Sequence, residues 1–213
     1  MAKHRIILDC DPGIDDAIAL LLALSAPDEI TLHSVTTVCG NRPLATTTRN
    51  ALRILALAGR KDVPVYPGCA RAILPGPTTD QNVHGNDGLG DVGLPDTAAL
   101  PAGEHAVRHL IDTVQAYPGE ITICAIGPMT NIALALIQEP CIAESIREIV
   151  FMGGAAFVPG NTTERAEFNI WSDPHAARVV LGSGVPLTMF GLDVTRRARF
   201  SLEWLAAQER AAR

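Results

Sequence analysis

Short apolar runs closed by Gly, Pro or Asp alternate along this chain with longer segments whose apolar positions recur at a helical period. Arg5–Cys10 reads as a strand and Asp15–Ser25 as a helix that opens on acidic residues. Ile30–Val38 reads as a second strand, followed by a helix over Leu44–Ala58 that Gly59 would end. A short strand at Val63–Tyr66 comes next, then Pro67 to Gly103, rich in Pro, Gly and Asp and without a period. A loop of that length inside one domain is expected to be functional, as a lid or binding loop. Helices are predicted at Glu104–Tyr117, Asn131–Gln138 and Asp173–Leu181, strands at Ile121–Ile126, Glu148–Met152 and Pro186–Leu192. Ser201–Arg213 would begin a final helix. The strands are apolar and mostly without alternation, which predicts an α/β fold with an open, mostly parallel sheet covered by helices on both faces.

Composition narrows this picture. With 213 residues, 47% of them hydrophobic, the chain has material for one core, so residues 1–213 are expected to form a single domain. The formal net charge of −6 comes without a basic stripe and argues against nucleic acid. The longest apolar run, Ala17 to Ala26, is too short for a bilayer, so no membrane partner is expected. Cys10, Cys39, Cys69, Cys124 and Cys141 show no zinc spacing and read as reduced, small core residues of a cytoplasmic protein.

Candidate chemistry appears when the residues after each strand are compared, because open parallel sheets bind ligands beyond their carboxyl ends. Asp11, Asp15 and Asp16 follow the first strand, Cys39-Gly40-Asn41 the second and Gly127-Pro128-Met129-Thr130-Asn131 the Ile121–Ile126 strand. Gly153-Gly154 and Asp193 follow the last two. A helix N-terminus favours Asp15 and Asp16 by roughly 0.3–1 kcal/mol, so ordinary capping accounts for one of them. It does not account for Asp11 at the strand tip. Three converging carboxylates would repel unless a cation neutralised them, and an all-oxygen site suits Ca²⁺ or Mg²⁺ better than zinc. Asp9 alternates with Asp11 and is expected to point away as a structural residue.

Other segments are less specific. In Glu167-Phe168-Asn169-Ile170, polar and apolar residues alternate, so Glu167 and Asn169 are expected on one side of an extended segment. Asp173-Pro174 reads as a helix N-cap with Pro in the first turn. Val83-His84-Gly85-Asn86-Asp87-Gly88-Leu89-Gly90-Asp91 is glycine-rich, but no strand precedes it, so a dinucleotide-binding reading fails. The remaining histidines fit ordinary strand or helix positions, and Arg196, Arg197 and Arg199 read as a solvated face.

Taken in order, LDCDPGIDDAIAL, VCGN, HGNDGLG, IGPMTNIALAL, FMGGA and GNTTERAEFNIWSDPHAA resemble the inosine–uridine-preferring nucleoside hydrolases from Asp9 to Ala177. The resemblance implies Ca²⁺-dependent hydrolysis of the N-glycosidic bond of ribonucleosides to ribose and free base, in nucleoside salvage or catabolism. It implies that Asp11, Asp16 and the Ile126 carbonyl bind Ca²⁺, with Asp11 also the general base. It further implies that Asp15, Asn41, Met152, Asn161, Glu167 and Asn169 meet the ribose and that His84 lies near the nucleobase as a second catalytic residue. Homo-oligomers, dimeric or tetrameric, are usual in the family.

Members of that family are longer and carry a His-Asp pair in their C-terminal part, for which no candidate follows Asp193. The expectation is therefore a C-terminally truncated chain. An alternative is a non-catalytic remnant that holds ribose or Ca²⁺ without turnover. DCDPG after an apolar strand also resembles the haloacid-dehalogenase phosphatases, with Asp9 as nucleophile. That reading leaves GIDD, GPMTN and AEFN without a role.

Overall fold

In the computed structural model, which describes residues 3–74 and 83–211, six strands form one sheet. These are β1 (His4–Cys10), β2 (Ile30–Thr37), β3 (Val65–Pro67), β4 (Ile121–Ala125), β5 (Glu148–Met152) and β6 (Leu187–Phe190). Their order is β3-β2-β1-β4-β5-β6 and every neighbouring pair is parallel. The helices are α1 (Ile14–Ser25), α2 (Leu44–Leu57), α3 (Ala106–Ala116), α4 (Thr130–Gln138), α5 (Phe168–Ser172), α6 (Pro174–Leu181), α7 (Leu192–Thr195) and α8 (Leu202–Ala211).

The apolar strands are explained by two cores, one on each face. Ile7, Ile121, Ile123, Ile149 and Phe151 pack with α3, α4 and α6, while Ile6, Leu8, Leu32, Val35 and Val65 pack with α1 and α2. Side chains therefore alternate between two buried faces, and neither face reads as polar. Burying one such side chain contributes roughly 1.5–3 kcal/mol, which fixes the strand ends as a platform. The chain winds outward through β2 and β3, then crosses over to β4 on the other side of β1. This order leaves a crevice beyond the tips of β1 and β4, where α/β sheets bind ligands.

Several sequence expectations shift. The strand expected at Val63–Tyr66 is β3 at Val65–Pro67, and that expected to reach Leu192 stops at Phe190, because Leu192 opens α7. A 3-10 turn at Pro140–Glu144 and helices α5 and α7 had no sequence counterpart. Gly59 ends α2 as expected, at φ +70°. Cys141 is exposed on the 3-10 turn rather than a core residue, and Cys39 and Cys124 are only partly buried. All five thiols are free. Arg196 donates to the Gly160 carbonyl at 2.9 Å, so it is not simply solvated; Arg197 and Arg199 are exposed. Part of the long loop expected over Pro67 to Gly103 lies outside the described residues, as does the end of the stretch Ser201–Arg213; the rest of that loop, after β3, has no helix or strand. Among the described residues, no helix is long and apolar enough to cross a membrane.

Candidate functional site

Strand β1 ends at Cys10, and Asp11-Pro12-Gly13 turns the chain into α1. Asp11 is fully buried; its Oδ2 accepts the Asn41 N–H at 2.6 Å, and its Oδ1 has no hydrogen-bond partner among the described residues. Asp16 points inward from the first turn of α1. Its Oδ2 accepts the Gly13 N–H at 2.9 Å, and its Oδ1 is likewise buried without a partner. Burial, followed by the charge of Asp16, raises the Asp11 pKa well above the usual carboxylate range. Burial, followed by the charge of Asp15, pushes Asp16 up to about 7. Asp15 differs from both: its side chain is exposed, with Oδ1 3.9 Å from His84 Nδ1. The expected convergence of three carboxylates is therefore a buried pair beside a separate, exposed third, because successive helix residues cannot share one face.

A cavity of about 130 Å³ opens above this pair, lined by Asp15, Asp16, Asn41, His84 and Ile126 on one side. Met152, Asn161, Glu167 and Asn169 line the other. Of the residues that the resemblance assigned to the site, Asp11 alone is not in the lining; it is fully buried, and Asn41 Nδ2 donates to its carbonyl at 3.2 Å. Val83 and Phe168 complete the wall and were missed. The extended segment expected around Glu167 is instead the start of α5. Glu167 caps it, its Oε2 accepting N–H groups of Gly154, Asn169 and Ile170 at 3.0, 2.9 and 3.3 Å. Helical spacing turns Phe168 toward the cavity as well, which strict alternation would forbid. Asn169 Nδ2 then bridges the Ile126 and Met152 carbonyls at 3.0 and 3.1 Å, tying the ends of β4 and β5 together.

The donor set meets a simple chemical test for a cation. Two buried carboxylate oxygens without partners face mutual repulsion, and such groups are stabilised by positive charge. With the Ile126 carbonyl they form an all-oxygen set suited to a hard divalent ion. Among the described residues, no three His, Cys, Asp or Glu side chains are grouped to hold a metal by themselves. The remaining ligands would have to be carbonyl, water or substrate oxygens.

Asp9 does not belong to the site. It is fully buried, with Oδ1 accepting from Thr36 Oγ1 at 2.5 Å and Asn131 Nδ2 at 2.8 Å. Burial raises its pKa to about 6. Its Oδ2 is buried without a partner among the described residues, but Asp9 does not line the cavity and so presents no oxygen to a phosphate there, which removes the basis of the phosphatase reading. Asp173 caps α6 through Ala176 N–H at 2.9 Å and also holds Ile73 N–H and Thr130 Oγ1. Asp193 is turned away from the cavity, accepting from Ala156 and Phe157 N–H at 2.9 Å each.

Known proteins share this architecture and sequence. The chain is 50% identical over 206 residues to an uncharacterized protein of Schizosaccharomyces pombe, covering 96% of this chain and 66% of that protein. It is 44% identical over 211 residues to the pyrimidine-specific ribonucleoside hydrolase RihB of Escherichia coli O157:H7, covering 99% of this chain and 66% of RihB. A solved plant nucleoside hydrolase superposes with a TM-score of 0.87 at 39% identity, over 92% of this chain and 62% of that one. The chain thus spans just under two thirds of the length of these relatives. The family model described as inosine-uridine preferring nucleoside hydrolase matches residues 6–213, and the chain belongs to that family.

Proposed function

We propose that the protein hydrolyses the N-glycosidic bond of ribonucleosides to ribose and free base, with Ca²⁺ held by Asp11, Asp16 and the Ile126 carbonyl. One observation carries this reading: Asp11 and Asp16 each keep a buried, partnerless Oδ1, and Asp16 lines a cavity walled by carboxylates and amides. Asp15, Asn41, Asn161, Glu167 and Asn169 offer donors and acceptors suited to sugar hydroxyls. Breaking the C1′–N bond builds positive charge on the ribose ring, and oxygens fixed beneath the ring stabilise that charge where it develops. Bound Ca²⁺ would orient the ribose diol and acidify a water. Asp11, whose Oδ1 is not committed to another donor, takes the proton as general base. His84, on the α1 side of the cavity, meets the nucleobase.

Homology to a pyrimidine-specific enzyme supports the ribonucleoside class. A role in nucleoside catabolism, a reducing cytoplasmic compartment and a dimer or tetramer belong to the same reading; the free thiols support the second. The test is release of reducing sugar from inosine and uridine, with Ca²⁺ or chelator and with Asp11→Ala as control. Ca²⁺-dependent release lost in the variant supports hydrolysis. Calcium binding without release by this chain favours the non-catalytic reading.

A further inference from the structure

Asn50 sits in the middle of α2 on its buried face, among Thr47, Ala51 and Ile54. An amide there forms helix poorly and buries polar atoms. Only its donor side is used: Nδ2 donates to the Asp87 carbonyl at 2.9 Å and the Pro12 carbonyl at 3.3 Å. Oδ1 is buried with no partner among the described residues. A residue kept for stability alone would not strand its acceptor in this way.

Both acceptors lead to the cavity. The Pro12 carbonyl shares a planar peptide unit with the Gly13 N–H, which donates to Asp16 Oδ2 at 2.9 Å. Fixing the carbonyl fixes the direction of that N–H and with it the Asp16 carboxylate. Asp87 belongs to the loop that carries His84, whose Nδ1 accepts the Ile14 N–H at 3.2 Å. An accepting Nδ1 leaves the ring proton on Nε2. Gly88, at φ +83°, brings the same loop against the Asn50 amide, where a β-carbon would lie 2.9 Å from Nδ2.

We propose that Asn50 is a positioning residue that ties the Asp11-Pro12-Gly13 turn to the His84 loop, holding the Asp16 carboxylate in place and His84 in its Nε2–H form. The proposal rests on the nucleoside hydrolase reading for what these groups do, and on geometry for where they are held. The test compares wild type, Asn50→Leu, which removes the donors at similar size, and Asn50→Gln, which restores them. Calorimetric titration with CaCl₂, ¹⁵N spectra of the histidine rings and thermal unfolding are the readouts. Expected is a cooperative Asn50→Leu protein whose Ca²⁺ affinity falls about 10–100-fold. Its His84 ring should lose the single Nε2–H signature, and Asn50→Gln should recover part of both. An Asn50→Leu protein that folds with unchanged affinity and an unchanged His84 spectrum overturns the proposal. Should Asn50→Leu not fold, wild type decides: slowly exchanging Asn50 side-chain amide protons with an unprotonated His84 Nδ1 uphold it, and rapid exchange or a protonated Nδ1 sinks it. A wild-type chain without Ca²⁺ binding or sugar release counts against the hydrolase reading, while the His84 and Asn50 spectra still judge this one.

Discussion

Gly40 packs so closely on Asp11 that a β-carbon at position 40 would fall on the Asp11 Oδ2 atom, the atom that accepts the Asn41 N–H at 2.6 Å. Gly127 closes the other side, where a β-carbon would lie 2.6 Å from Oδ1. The tips of β2 and β4 therefore pinch one buried carboxylate between two residues without side chains. Gly40→Ala must displace Asp11, and a displacement near 1 Å costs on the order of 10²-fold in rate at a reacting group. Overpacking should also cost about 1–3 kcal/mol in urea unfolding. Gly103→Ala, with open space around it, is the matched control and should leave sugar release and stability unchanged.

The two neighbouring acids of the first strand should separate cleanly by mutation. Asp9→Asn keeps an oxygen for Thr36 and Asn131 and changes nothing in the cavity. It is expected to alter stability by about 1 kcal/mol and to leave Ca²⁺ titrations unchanged. Asp11→Ala should abolish sugar release in a folded protein. Equal loss of turnover in both folded variants would contradict the assignment.

Glu167 serves structure with one oxygen and faces the cavity as a carboxylate, so two substitutions should dissociate the roles. Glu167→Ala removes the α5 cap and should cost about 0.5–2 kcal/mol in thermal unfolding. Glu167→Gln retains an accepting oxygen, so most of that stability should remain while KM for the nucleoside rises. A Gln variant as unstable as the Ala variant would mean that the charge, not the cap geometry, holds α5.

The first turn of the site was legible because its signals are local. Asp15 and Asp16 open a helix, and parallel strand ends bring Asn41 and Ile126 to the same edge. Which acid turned inward was given by the resemblance but not by local signals, since it depends on Gly13 N–H bonding Asp16 rather than Asp15. Alternation in Glu167-Phe168-Asn169-Ile170 fits a strand and a one-turn helix equally well. Only the amides gathered on Glu167 Oε2, one of them from Gly154 in a distant loop, decide for the helix. A Glu N-cap lies outside the usual set of Ser, Thr, Asp and Asn, so no end signal was available. Asn50 left a trace that could have been read: an amide on the apolar stripe of TTTRNALRILAL is out of place unless it holds something.

Away from the site, His109 gives a stability dependence on pH whose sign is fixed. It is a buried residue of α3, bonded to Ser34 Oγ of β2 at 2.7 Å and stacked on Tyr66 of β3 with ring centroids 3.5 Å apart. Burial, then the charge of nearby His33, lowers its pKa to about 4 from the ordinary 6.5. The unfolded state therefore binds the proton more readily. The stability this group contributes is complete above about pH 6.5 and is lost as pH falls toward about 4. His109→Gln should be less stable than wild type at pH 7.5, and the gap in urea midpoint should shrink by pH 4.5. A gap that widens on acidification would reverse the assignment.

The buried acid pair should make metal and mutation act in opposite directions. Without a cation, Asp11 and Asp16 repel and each keeps one partnerless buried oxygen, so the pair destabilises the folded chain. A ligand that binds only the folded state stabilises by RT ln(1 + [L]/Kd), about 2.7 kcal/mol at a hundred times Kd. Thermal unfolding of wild type should therefore move upward with CaCl₂ and back with chelator. Mg²⁺ should act more weakly, since it demands near-ideal octahedral geometry and gives up its waters reluctantly. Asp16→Asn removes one charge while keeping an acceptor for Gly13 N–H. In chelator it should unfold at or above the wild-type temperature, and in CaCl₂ it should lose most of the upward shift. The crossing of the two orders is the diagnostic. A variant less stable than wild type in chelator, yet still raised by Ca²⁺, would mean that the two carboxylates are held by something other than the site proposed here.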